Sequence, residues 1–224
     1  MDPRFSHITD WIFDLDNCLY PASSGLFRLI DARMNAYIRR LLDVDEDEAH
    51  RVQKHHFYTH GTTLAGLMND HGIDPHHFLD DVHDIPLDRI GADAKLNAGL
   101  GRLPGRKFIF TNGDEPYARR VLGKLGVESH FEGVQCILGS NLRPKPELHG
   151  YQLLLQRFHI DPTRALLVED MAKNLKPAKA LGLTTIWVDN GSEQAQEAPD
   201  IAHVDHRITN VADWLHDLFD GKTA

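Results

Sequence analysis

DWIFDLDNCLYPASSGLF, residues 10–27, opens on a short apolar run and then sets two aspartates one residue apart. The run WIFDL (11–15) has the length and side-chain types of a buried β-strand, and the Asp-Asn-Cys that follows is turn-forming. Asp14 and Asp16 are therefore expected where the strand ends. Ionised carboxylates crowded there repel each other and are costly to desolvate, so the folded chain must bring compensating charge to them.

Downstream of this segment the period changes. Leu26, Leu29, Ile30, Met34, Tyr37, Ile38, Leu41 and Leu42 recur at spacings of three and four, which predicts an amphipathic helix. DVDEDEAHRVQKHHFYTHG (43–61) places acids early and basic and His residues late, an order that suits a helix dipole. TTLAGLMNDHG reads as a helix stopped by Gly72, and DPHHFLDDVHD offers Asp74 as N-cap with Pro75 in the first turn. From residue 22 to about 90 every signal is helical.

Strands and helices then alternate. Strands are expected at 107–113, 133–138, 164–170 and 184–190. Helices are expected over EPYARRVLGKLG, PELHGYQLLLQRF, LKPAKALG and NVADWLHDLF, and DNGSEQAQEAPD (189–200) reads as a polar surface loop. This alternation predicts an α/β fold, a parallel sheet with helices on both faces, and the helical block is an insertion after strand one. The expected units are a core of residues 1–21 and 91–224 and a helical unit of residues 22–90.

The 224 residues are 42% hydrophobic and 25% charged, with a net charge of −9 and no long basic run. That argues against a nucleic-acid polymer or an anionic membrane surface as partner. No apolar run approaches the roughly 18 residues of a membrane span, and the start lacks the pattern of a secretory signal. Two cysteines, Cys18 and Cys136, give no disulfide framework, so a reducing, cytoplasmic setting is expected. Cys18 is read as a packed thiol, not a nucleophile. The clusters KHHFYTH (54–60) and DPHHF (74–78) invite a metal reading, but no downstream repeat completes a ligand set, and solvated helix faces are preferred.

In an open parallel sheet, ligands bind beyond the carboxyl ends of the strands. The residues expected there are Asp14 and Asp16, then Thr111, Asn112 and Gly113, then Glu169 and Asp170, with Arg143 and Lys145 in RPKPE nearby. Several carboxylates with a lysine and a hydroxyl suit a magnesium ion and a phosphoryl group. Together they describe phosphoryl transfer onto an aspartate.

FDLDNCLY, IFTNG, KPELHGY and LLVEDMAKN, in this order, make the chain resemble the haloacid dehalogenase-like hydrolase superfamily, and FDLDNCLYPASSGLF resembles its pyrimidine 5′-nucleotidase branch. The resemblance implies a Rossmann-like parallel sheet core with an inserted helical cap that closes over the site. It implies Asp14 as nucleophile, Asp16 as general acid and then base, Thr111, Asn112 and Lys145 on the phosphate, and Mg²⁺ held by Asp14, Asp170 and the Asp16 backbone carbonyl. An acid at position 16 is the phosphatase pattern, so carbon–halogen hydrolysis is disfavoured. Where the family often carries a second acid this chain has Asn174, which can orient a metal-bound water; Glu169 stands behind the metal or reaches it through water. Ser23 and Ser24, at the entrance to the cap, are read as linkers or substrate contacts. The implied partner is a small phosphorylated metabolite. Sugar phosphates, a phosphomutase reaction, and a receiver-like phosphoacceptor domain are the alternatives.

Overall fold

Strand β1 (Asp10–Phe13) is buried along its whole length, and its side chains alternate between two cores. Trp11 and Phe13 point into the larger apolar cluster and Ile12 into the smaller one on the other face, as the period of two requires. The computed structural model describes residues 1–191 and 201–220. Among them β1, β2 (Arg106–Phe110), β3 (Gly133–Gln135), β4 (Ala165–Glu169), β5 (Thr184–Val188) and β6 (His206–Ile208) form one parallel sheet in the order β3-β2-β1-β4-β5-β6. The strand order reverses at β1/β4, the place where a doubly wound sheet opens a crevice.

Helices α7 (Leu148–Phe158) and α8 (Ala172–Leu181) cover one face, through Tyr151, Leu154, Leu175 and Ala178. On the other lie α5 (Ala94–Arg102), α6 (Glu115–Leu125) and α9 (Val211–Asp220). Between β1 and α5 the chain forms α1 (Leu26–Leu42), α2 (Glu46–His60), α3 (Thr63–His71) and α4 (Pro75–His83). Each of the last three begins on a side-chain cap. Asp45 accepts from Glu48 N (2.8 Å), Thr62 from Ala65 N (3.1 Å) and Asp74 from His76 N (2.9 Å), each cap satisfying a backbone donor that the first turn leaves unpaired. α1 packs on α2 and α4, and α2 on α3. Arg89 Nη1 donates to Gly25 O (3.0 Å), tying the exit of this block to its entrance.

Three features differ from the sequence reading. β1 stops at Phe13, because the backbone from Leu15 onward turns, with Cys18 and Leu19 N–H both donating to Leu15 O. α5 and β6 carried no recognised signal. α5 contains Gly99 and Gly101, poor helix formers, and is held by packing: a Cβ on Gly99 would stand 2.7 Å from Leu215 Cβ of α9. β6 is three residues long and completes an edge. Nor are all the histidines solvated. His56 is 2% exposed and His83 is buried, because α3 and α6 pack over their rings, a Cβ on Gly66 falling 2.3 Å from the His56 ring and Tyr117 stacking on His83. The polar loop expected at 189–200 lies, from 192 on, outside the described residues. No helix among the described residues is long and apolar enough to cross a membrane.

Candidate active site

Asp14 follows the last residue of β1, its N–H donating to Val168 O of β4 (2.9 Å), so its carboxyl group stands at the switch point. Asn17 takes a left-handed conformation (φ 56°), which turns the chain back and which asparagine tolerates better than most residues. Cys18 Sγ is buried against Val168 O at 3.7 Å, and burial raises its thiol pKa well above the ordinary value, so it stays a neutral packed group.

Lys145 is the centre of charge. It is 3% exposed, and its ammonium donates to Asp14 Oδ1 (2.7 Å), Glu169 Oε2 (2.6 Å) and Phe110 O (2.9 Å). All three protons are used. The Asn112 side chain holds Lys145 in place, Oδ1 accepting from its N–H (2.8 Å) and Nδ2 donating to its carbonyl (3.4 Å). Although burial opposes the charged lysine, the Asp14 and Glu169 carboxylates outweigh it and raise its pKa. Thr111 Oγ1, also buried, accepts from Gly113 N (2.9 Å), so its own proton remains to donate.

Asp14, Glu169 and Asp170 bring carboxylate oxygens within 4.8 Å of one another. Burial, and next the Glu169 charge, push Asp14 up to about 8 and Asp170 well above the usual carboxylate range. Three buried acids share one ammonium, which makes ionising all of them costly; a hard divalent cation would offset that cost, and an all-oxygen donor set fits Mg²⁺. Two neighbours order this corner: Glu169 Oε1 accepts from Met171 N (3.1 Å) and the Asp170 carbonyl from Trp187 Nε1 (2.8 Å). Asn174 is buried with Oδ1 unpartnered beside the same cavity.

Asp16 is oriented differently. Its Oδ1 accepts from Tyr20 Oη (2.6 Å) and Tyr117 Oη (2.8 Å). Desolvation raises its pKa and the two phenols, which favour the ionised form, pull it partly back. Tyr117 stacks on His83 of α4 at 4.4 Å and 7° between planes, and His83 Nδ1 lies 3.1 Å from Asp114 Oδ1. Arg120 of α6 donates to the carbonyls of His83 (3.0 Å) and Ile85 (2.8 Å), fastening the end of α4 to the sheet's helices.

One cavity joins these groups to the helical block, where Phe27, Ile30, Met34, Phe57, Phe78 and Val82 form an apolar wall. Gln53 lines it too: Nε2 donates to Asp31 Oδ1 (2.7 Å) and the buried Oε1 has no partner. Ser24 Oγ accepts from Leu26 N at the start of α1, and neither it, Ser23 nor the exposed Arg143 lines the cavity.

A family description, haloacid dehalogenase-like hydrolase, matches residues 12–182. The chain belongs to this hydrolase family. Over 228 residues it is 25% identical to phosphate metabolism protein 8 of Saccharomyces cerevisiae, spanning 94% of this chain and 70% of that one. Over 110 residues it is 30% identical to phosphoserine phosphatase of Thermus thermophilus, 48% of this chain and 44% of the relative. The solved HAD phosphatase of Thermococcus onnurineus superposes with a TM-score of 0.61 at 18% identity, over 95% and 97% of the two chains. The L-2-haloacid dehalogenase of Xanthobacter autotrophicus does so at 0.59 and 18%, over 96% and 100%. These two structures speak for the fold alone.

In this family member the structure brings Asp14, Asp16, Thr111, Asn112, Lys145, Glu169, Asp170 and Asn174 to one cavity. Sequence reasoning missed Tyr20, Tyr117, His83 and Gln53. Tyr20 stands four residues after Asp16, a spacing that signals contact only once the chain is known to turn helically there. The other three had no signal, since each meets the site across tertiary packing.

Proposed function

We propose that the protein is a Mg²⁺-dependent phosphatase of small phosphomonoesters, working through an aspartyl-phosphate on Asp14, with pyrimidine nucleoside 5′-monophosphates as substrates. The observation that carries the reaction is the buried Lys145 ammonium between Asp14 and Glu169, with the tyrosine-held Asp16 carboxyl at the same cavity. Asp14 attacks phosphorus as the bond to the leaving oxygen breaks, and Asp16 gives that oxygen its proton. The ionised Asp16 then takes a proton from the water that attacks the phosphoryl group, which frees inorganic phosphate and restores Asp14. The raised pKa of Asp16 suits both duties. Lys145, Thr111 and Asn112 hold the phosphoryl oxygens, directly or by positioning one another. Mg²⁺ would be held by Asp14, Asp170 and the Asp16 carbonyl, with Glu169 and Asn174 behind, and would supply positive charge that favours ionised Asp14.

Residues 22–90 act as a cap over a core of 1–21 and 91–224, excluding water and selecting the leaving group. The finer substrate reading is supported by the cavity wall. Its aromatic and aliphatic side chains suit a flat ring, and the unpartnered Gln53 Oε1 suits an N–H donor on that ring. The test is phosphate release from UMP, CMP, AMP, GMP and several sugar phosphates, with Mg²⁺ and with chelator. Preference for UMP and CMP, lost with chelator, is expected. Release from sugar phosphates alone overturns the substrate class. A long-lived phosphoprotein that forms from acetyl phosphate without turnover overturns the enzyme.

A further inference from the structure

We propose that His56, His60 and Asp70 form a binding site for a divalent transition-metal cation of the zinc class, distinct from the carboxylate cluster at the sheet edge, which clamps α2 to α3 behind the cavity wall. His56 and His60 stand one turn apart on α2, and Asp70 lies on α3. Their ligand atoms all fall within 4.8 Å of one another. His56 Nδ1 is 3.6 Å and His60 Nε2 is 4.0 Å from Asp70 Oδ2. Ligands at zinc–nitrogen and zinc–oxygen bond lengths in a tetrahedron are about 3.3 Å apart, so the two imidazole–carboxylate pairs would close by about 0.3 and 0.7 Å and the imidazole pair by at most about 1.5 Å, within the reach of side-chain rotation.

A second observation comes from His56 itself. Its ring is almost wholly buried, and neither nitrogen has a hydrogen-bond partner. Burial lowers its pKa, which favours the neutral imidazole that metals bind. The ring is seated against α3 where Gly66 lacks a side chain: a Cβ there would lie 2.3 Å from Nδ1. Asp70 is turned to suit, because Asn69 Nδ2 donates to its Oδ1 (2.6 Å) while Oδ2 faces the imidazoles. Such an outer hydrogen bond orients a metal-ligating carboxylate. The His60 and Asp70 side chains are 29% and 37% exposed, which leaves an entry path and room for water as a further ligand. Two imidazoles and one carboxylate favour zinc, cobalt or nickel over magnesium, which prefers an all-oxygen set. The consequence reaches the cavity, because α2 also presents Gln53 and Phe57 to it, and the α2–α3 junction presents Thr62 and Leu64.

The experiment is calorimetric titration of chelator-stripped full-length protein with Zn²⁺ in excess Mg²⁺, which occupies the sheet-edge cluster, repeated with Co²⁺ and read by its visible absorption. One equivalent bound at about 10 μM or tighter is expected, with cobalt bands of nitrogen–oxygen ligation. His60→Ala and Asp70→Asn, at a half-buried and an exposed position, should each weaken binding about tenfold or more and abolish the rise in Tm that Zn²⁺ gives the parent. His50→Ala, on the exposed part of α2, should leave binding unchanged. No binding in that range, or binding that His60→Ala and Asp70→Asn leave intact, overturns the proposal.

Discussion

The sheet edge and the helical block above it differ in how far their buried polar groups are partnered. At the edge, Lys145 spends all three donors, Glu169 accepts from both Lys145 and Met171, and Asp16 receives two phenols. In the block, Gln53 Oε1 and both nitrogens of His56 are buried without partners, while of the edge groups named above Asn174 Oδ1 alone is. A buried polar atom left so costs about 1–3 kcal/mol. On the proposed function, most edge groups are held in place before a ligand arrives, which suits electrostatic catalysis, whereas Gln53 Oε1 is left open to a ligand's donor. On that reading the edge carries the chemistry and the block the recognition.

The largest effect that would break this contrast is at the edge. Asp14→Asn should lower phosphate release by on the order of 10⁴-fold or more while the Tm stays near that of the parent, because the nucleophile is lost but the shape is kept. A turnover rate within tenfold of the parent would remove Asp14 from the reaction. Lys145→Met should cost about 3–5 kcal/mol in denaturant unfolding, since two buried carboxylates lose their shared partner. A loss below 1 kcal/mol would show that the edge is not held by this ion pair.

In the block the effects are smaller and specific to substrate. Gln53→Leu should raise KM for UMP about tenfold, ~1.4 kcal/mol, with kcat for a phosphomonoester that lacks a base unchanged. Equal change on both substrates would deny Gln53 a recognition role. Smallest is Tyr117→Phe. The phenol favours ionised Asp16, so its removal lets the already raised pKa rise further, and the pH limb that Asp16 governs should move to higher pH. A downward shift would contradict the hydrogen bond's direction.

Much of this was legible along the chain because its signals are local. The apolar run WIFDL, Gly126 at the end of α6 and the N-cap Asp74 are written within a few residues of where they act. The strand-end residues were legible for the same reason: a parallel sheet sends every strand's carboxyl end to one edge, so knowing the strands gives Asp14, Thr111 and Asp170 a common address. α5 was not legible, because Gly99 serves contact with α9 and not helix propensity. Within the two clusters His56 was misread as solvated, since no periodicity says that Gly66, ten residues on, will receive its ring, whereas His55, His76 and His77 are exposed as expected.

The sequence by itself determined the α/β class, the helical insertion and the residue types gathered at the sheet edge, because hydrophobic period and chain direction act over short range. Only the tertiary structure decided how Lys145 divides its protons, that Tyr117 reaches Asp16 across 101 residues, and which of fifteen histidines lies buried beside Asp70. Those are contacts between elements distant in the chain, set by packing, and packing is a property of the whole molecule.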